Sequence, residues 1–165
     1  MPKVVRAVSA LLLAGAMLVA CPWTFAANVD AVMTATVDGK PWSASFSQGI
    51  TLEMAGKPVL NLSGTQQGSP TMTFNSMLVL TAPTSLVGTY QFKNGFPANG
   101  ADLNVLDSGA LVGHVRFSSG EVAIDGYDST RKTISGHFSA AGKGEDGRLE
   151  EIKDGTFSGI PVGPQ

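Results

Sequence analysis

Beyond residue 31, apolar and polar side chains alternate with a period of two along most of the chain, the pattern of half-buried strands and not of helices. Over residues 32–37, Met33, Ala35 and Val37 alternate with Val32, Thr34 and Thr36. Asp38-Gly39 then reads as a tight turn, and Pro41–Ser47 returns with Trp42, Ala44 and Phe46 on one face, which predicts a first hairpin. Gly49 reads as a break, followed by a strand over Ile50–Met54. Ala55-Gly56-Lys57 turns into Pro58–Ser63, where Leu60 and Leu62 are expected inward. Thr71–Thr81 is the longest β-rich run, with Met72, Phe74, Ser76, Leu78 and Leu80 on one face and an end that is apolar on both, as in a central strand.

Gly88–Phe92 reads as a short strand with Tyr90 and Phe92 in register. Lys93–Leu106 is the least regular part, an exposed loop over Asn94–Gly100 that carries one aromatic, Phe96. Ala110–Ser118 is a strand that Ser119-Gly120 turns into a hairpin over residues 120–138. In that hairpin Val122 and Ile124 oppose Glu121, Ala123 and Asp125. On its second arm Thr133, Ser135 and His137 alternate with Ile134, Gly136 and Phe138 around a polar turn at Asp125–Lys132. Ala140–Gly147 is a flexible charged turn. Leu149–Lys153 and Thr156–Ile160 flank Asp154-Gly155, which reads as another hairpin turn, and Pro161–Gln165 reads as a tail. The expected class is all-β: one antiparallel β-sandwich or flattened β-barrel of about ten to twelve short strands.

The N-terminus follows a different pattern. Lys3 and Arg6 precede an apolar run from Ala7 to Ala20, the order of charges, hydrophobic stretch and small residues that marks a helical export signal. That run is shorter than the roughly 20 apolar residues of a membrane span. Two processing routes follow from the residues. Leu18-Val19-Ala20-Cys21 has the form of a lipobox, with Cys21 as the lipidated residue after a signal of residues 1–20. Thr24-Phe25-Ala26 before Ala27 has the form of an ordinary signal-peptidase site, giving a signal of residues 1–26 and a single β domain over 27–165. By either route the protein is expected to be exported, to the periplasm, the exterior or an outer-membrane anchor, and to meet a membrane only through a lipid on Cys21.

Composition narrows the partners. A 43% hydrophobic and 15% charged chain of 165 residues is an ordinary single domain, not a disordered tail. Cys21 is the only cysteine, so neither an intrachain disulfide nor a thiolate metal cluster can form. Removal of Lys3 and Arg6 leaves nine basic against thirteen acidic residues, a formal charge of −4. Without a cationic stripe, nucleic acid is not an expected partner.

Four segments carry a resemblance: Thr36-Val37-Asp38-Gly39-Lys40-Pro41-Trp42-Ser43-Ala44, Gly120-Glu121-Val122-Ala123-Ile124-Asp125-Gly126-Tyr127-Asp128, Thr133-Ile134-Ser135-Gly136-His137-Phe138 and Gly155-Thr156-Phe157. Across nearly the whole mature chain they resemble a family of uncharacterised exported bacterial lipoproteins with an all-β domain. The resemblance implies an exported β domain, with a membrane anchor as an option, and it carries over no catalytic residue.

The chemistry-bearing residues are few. His114 and His137 are the only histidines, and no Gly-x-Ser-x-Gly elbow accompanies them. A hydrolase built on His114 or His137 is therefore only an alternative, and it requires one of them beside a carboxylate or serine in a cleft. The two histidines with Asp125 or Asp128 lack metal-site spacing. Asp125 and Asp128, like Glu145-Asp146 with Glu150-Glu151, lack the register of a calcium loop. Trp42, Tyr90 and Tyr127 lie in phase with strand apolars and read as core and not as a stacking platform. No catalytic residue, metal or cofactor is assigned. The expected role is non-enzymatic binding of a small ligand or an envelope partner. The competing role is an apolar-ligand carrier, which needs a cavity lined by residues such as Phe74, Leu78 and Phe117.

Overall fold

Ten strands and no helix make up residues 31–94 and 96–164, the part of the chain that the computed structural model describes. They are β1 (Val32–Val37), β2 (Lys40–Ser43), β3 (Phe46–Met54), β4 (Lys57–Gln66), β5 (Thr71–Val79), β6 (Gly88–Gln91), β7 (Gly100–Asp107), β8 (Ala110–Asp128), β9 (Thr133–Gly144) and β10 (Leu149–Pro164). Residues 1–30, on which the export signal, Cys21 and both processing sites fall, lie outside the described residues.

The pairing closes on itself. β3, β4, β5, β7, β8, β9 and β10 pair in that order, each antiparallel to the next. β10 then meets β3 through a short parallel ladder, Val162 with Gly49, Gly163 with Ile50 and Pro164 with Thr51. Two strands fork. One edge of β10 is shared by β1, up to Ser158, and then by β3. One edge of β8 is shared by β7, up to Phe117, and then by β6. The forks separate a layer of β3, β4, β5 and β7 from a layer of β2, β1, β10, β9, β8 and β6. The result is a flattened barrel, one of the two forms the alternation predicts.

The inward set is what period two requires: Met33, Leu60, Leu62, Phe74, Leu78, Val122, Ile124, Ile134, Phe138, Ile152, Phe157 and Ile160 are all buried. Phe74 stacks on Phe138 at 4.7 Å between ring centroids, and Phe157 lies 6.4 Å from Phe138. Around them Phe117 and Leu103 complete a core filled by side chains from both layers. Asn99 fastens the irregular segment before β7: its Oδ1 accepts the Val79 N–H at 2.7 Å and its Nδ2 donates to the Gln91 carbonyl at 3.1 Å.

Several expected boundaries move, each for a local reason. Ser119-Gly120, Asp125-Gly126 and Asp154-Gly155 are not turns; each sits at a register shift inside a long strand, so that β8 and β10 bend around the barrel without stopping. Gly49 does not break β3. It lies within the ladder, where a Cβ would stand 3.0 Å from Val162 Cγ2, so glycine is what lets β10 close against β3. Phe46 opens β3 and is exposed, because the chain leaves β2 at Ser43 and the inward positions of β3 pass to Ser47 and Gly49. The segment read as irregular contains β7, whose short alternation of Ala101, Leu103 and Val105 is interrupted by polar Asp102 and Asn104, themselves bonded at 2.8 Å. The C-terminal tail supplies the residues that close the ring.

Candidate functional site

On the layer formed by β8, β9, β10, β1 and β2, the inward set turns the intervening residues outward, and register lines them up. Ala123 pairs with His137, His137 with Thr156, Thr156 with Thr34 and Thr34 with Ser43. Directly paired residues share a face, so one row runs across five strands. Asp125, two residues beyond Ala123, adds its carboxylate: Asp125 Oδ2 lies 3.0 Å from His137 Nδ1. The Thr34 and Thr156 hydroxyls are 3.1 Å apart. These two contacts hold four side chains of the row in fixed orientations. The His137 and Asp125 side chains remain 53% and 61% exposed.

At the β1–β2 end the row opens into a shallow depression of about 470 Å³, lined by Thr34, Thr36, Pro41, Ser43, Gln66 and Asp154. Trp42 lines it too, and its buried indole N–H has no hydrogen-bond partner among the described residues.

The other expected sites come apart. His114 pairs with Asn104 across the β7–β8 ladder, nine residues along β8 from the partner of His137, so the two imidazoles do not converge. Asp128 folds back on its own turn, accepting the Thr130 N–H at 2.9 Å and the Arg131 N–H at 3.0 Å. The Arg131 bond is the main cause that holds its carboxyl below the usual carboxylate range. Trp42 and Tyr90 are buried, and the Tyr90 hydroxyl donates to the Leu86 carbonyl at 2.7 Å, while Tyr127 is exposed; the three form no common platform. Phe74, Leu78 and Phe117 are packed into the core, and the depression includes none of them. Among the described residues, no group of three His, Cys, Asp or Glu side chains is placed to hold a metal.

Just beyond Thr36, where β1 ends, the Asp38-Gly39 turn docks on the start of β10. Asp38 N–H donates to the Glu151 carbonyl at 3.0 Å, and Asp38 Oδ1 accepts the Glu151 N–H at 2.9 Å. This places Glu150 against Asp38. A hydrogen bond with the Asp38 carboxylate raises the Glu150 pKa from its ordinary 4.5 to about 7, with burial and Asp38 charge adding to the rise and Arg148 opposing it. The sign follows: between about pH 4.5 and 7 the folded chain keeps a proton that the unfolded chain has lost, so stability falls as pH rises through that window. Urea midpoints measured from pH 4.5 to 8 are expected to decline across this range, and Glu150→Gln is expected to flatten the decline. An unchanged slope in that variant would place the titrating group elsewhere.

Thr34, Ser43 and Thr156 escape sequence reasoning as members of a site, because short hydroxyls on outward strand positions are common. Their alignment depends on the shift at Asp154-Gly155, which sets which β10 residue meets His137.

Residues 29–161 match a family model described as a domain of unknown function, DUF6252. No curated protein and no solved structure matches the chain.

Proposed function

The chain belongs to the DUF6252 family, and we propose that it is an exported, non-enzymatic binding domain of the bacterial cell envelope that works through the outer face of its flattened barrel. The observation that carries this reading is the row Asp125, His137, Thr156, Thr34 and Ser43 on an open sheet face, over an interior filled by Phe74, Phe138 and Phe157. An Asp–His pair in catalysis works within a site that excludes water and presents aligned donors to a developing charge. Here both members are more than half exposed, which favours recognition over turnover. Ring packing of Phe74, Phe138 and Phe157 across the interior likewise favours a surface ligand over an enclosed apolar one.

The charged start, apolar run and small residues before Ala27 support export. The intact mass of the chain from its own envelope separates the two anchoring states: a diacylated Cys21 start gives a tethered protein, and an Ala27 start gives a soluble one.

The functional test uses charge placed on the row. The double variant Thr34→Lys/Thr156→Lys is expected to lose at least tenfold of its retention on envelope fractions. Thr73→Lys, on β5 in the opposite layer, is expected to keep it. Thr34 and Thr73 are half-buried and hydrogen-bonded and directly paired lysines repel, so each variant is expected to melt below the parent, and retention is compared at a temperature where all three proteins are folded. Unchanged retention in the double variant contradicts the proposal.

A further inference from the structure

Resting on that reading, we propose that the ligand is a neutral glycan strand lying across β8, β9, β10, β1 and β2, with one sugar unit seated in the depression beside Ser43. Three observations converge on this class. The first is chemical. The row and depression present hydroxyls from Thr34, Thr36, Ser43 and Thr156, the imidazole of His137, the carboxamide of Gln66 and the carboxylates of Asp125 and Asp154. Paired donors and acceptors of this kind match vicinal hydroxyls. With His137 Nδ1 engaged by Asp125 Oδ2, Nε2 is the ring nitrogen left for a ligand hydroxyl.

The second is charge. Asp125 and Asp154 make the face mildly acidic, and Lys153, which the β1–β10 register sets opposite Thr36 on this face, is held by Glu151 at 2.6 Å. A phosphate-bearing polymer would meet carboxylates where it needs free cations. A flat protein partner would look for aromatic or arginine anchors at the centre of the face; there the row is polar, the exposed apolar side chains Val32 on β1 and Tyr127 on β8 only flank it, and Leu111, Val112 and Leu149 stand at the far starts of β8 and β10.

The third is geometry. Strands lie about 4.7–4.9 Å apart, so the row from β8 to β2 spans roughly 19 Å perpendicular to the strands. That is a track for a linear ligand several units long, and it ends in a recess of about 470 Å³, within the usual volume range of small-ligand sites. The Thr34–Thr156 and Asp125–His137 contacts already orient four side chains, which lowers the ordering cost of binding.

The test titrates the isotopically labelled, processed protein with three neutral probes: hexamers of β-linked glucose, of β-linked N-acetylglucosamine and of α-linked mannose. At least one is expected to give saturable amide shifts confined to Thr34, Ser43, Asp125, His137, Thr156 and their strand neighbours. Thr156→Lys is expected to weaken that probe at least tenfold. No response to any of the three overturns the glycan proposal, as do shifts centred elsewhere or binding indifferent to Thr156→Lys. If the glycans fail while Thr34→Lys/Thr156→Lys still abolishes envelope retention, the face binds a protein and only the glycan assignment falls. If both fail, the binding-face reading falls with it.

Discussion

Gly155→Ala is expected to cost about 3 kcal/mol of unfolding free energy, the scale of forcing an atom into a packed site with no room to relax. Gly155 faces Phe138 across the β9–β10 ladder, and a Cβ there would stand 2.5 Å from the Phe138 carbonyl oxygen and 2.7 Å from its ring. Neither can retreat: the carbonyl belongs to a strand paired on both edges, and the ring is clamped between Phe74 and Phe157. Two of the other Asp-Gly steps provide the contrast. A Cβ on Gly126 meets nothing within 4 Å at a φ any residue can adopt, so Gly126→Ala should fall within about 0.5 kcal/mol of the parent. A Cβ on Gly39 also meets nothing, but φ there is +75°, so Gly39→Ala should cost about 1–2 kcal/mol. Urea unfolding at constant m-value measures all three. Equal midpoints for Gly155→Ala and Gly126→Ala would show that β10 does not bend over Phe138 in this way.

Phe138→Ala is expected to cost about 3–5 kcal/mol, the range for truncating a buried phenylalanine. The ring is 2% exposed and joins Phe74 of one layer to Phe157 of the other, so its removal leaves a void where the layers meet. The stacked pair adds about 0.5–1.5 kcal/mol beyond area burial. Phe138→Leu keeps most of the volume and should cost less than half as much. Because Cys21 is the only cysteine, no intrachain disulfide can offset the loss. Against a typical total stability of about 5–15 kcal/mol, Phe138→Ala is large enough to show as partial unfolding at 37 °C in a circular-dichroism melt. A cost below about 1 kcal/mol would mean that the two layers do not meet through this ring.

The strand faces were legible because burial on one side leaves a period of two in the side chains: Met33, Ala35 and Val37, or Val122 and Ile124, could be placed inward from the pattern alone. The strand ends were not, because one dipeptide serves two geometries. Asp38-Gly39 turns the chain, with φ of 48° and 75°, whereas Asp125-Gly126 and Asp154-Gly155 bend strands that continue. The difference lies in what stands opposite: beside Gly155 it is the Phe138 backbone and ring, a partner many residues away. Ring closure was hidden for the same reason. Val162 and Gly163 look like a tail until Gly49 offers a surface with no side chain against which they can pair. Of the candidate site, the shared polar phase of Ala123, Asp125 and His137 could be read, but their continuation to Thr156, Thr34 and Ser43 depends on long-range register.

The central claim is that recognition takes place on the outer face carrying His137 and not inside the barrel. Its most direct measurement is an amide and methyl shift map of the labelled protein, recorded as solubilised material from its own envelope is added. The account predicts perturbations at Thr34, Ser43, Asp125, His137 and Thr156, with the rings of Phe74, Phe117 and Phe138 unmoved. Perturbations centred on those three rings, with the row silent, would contradict it and restore an interior ligand.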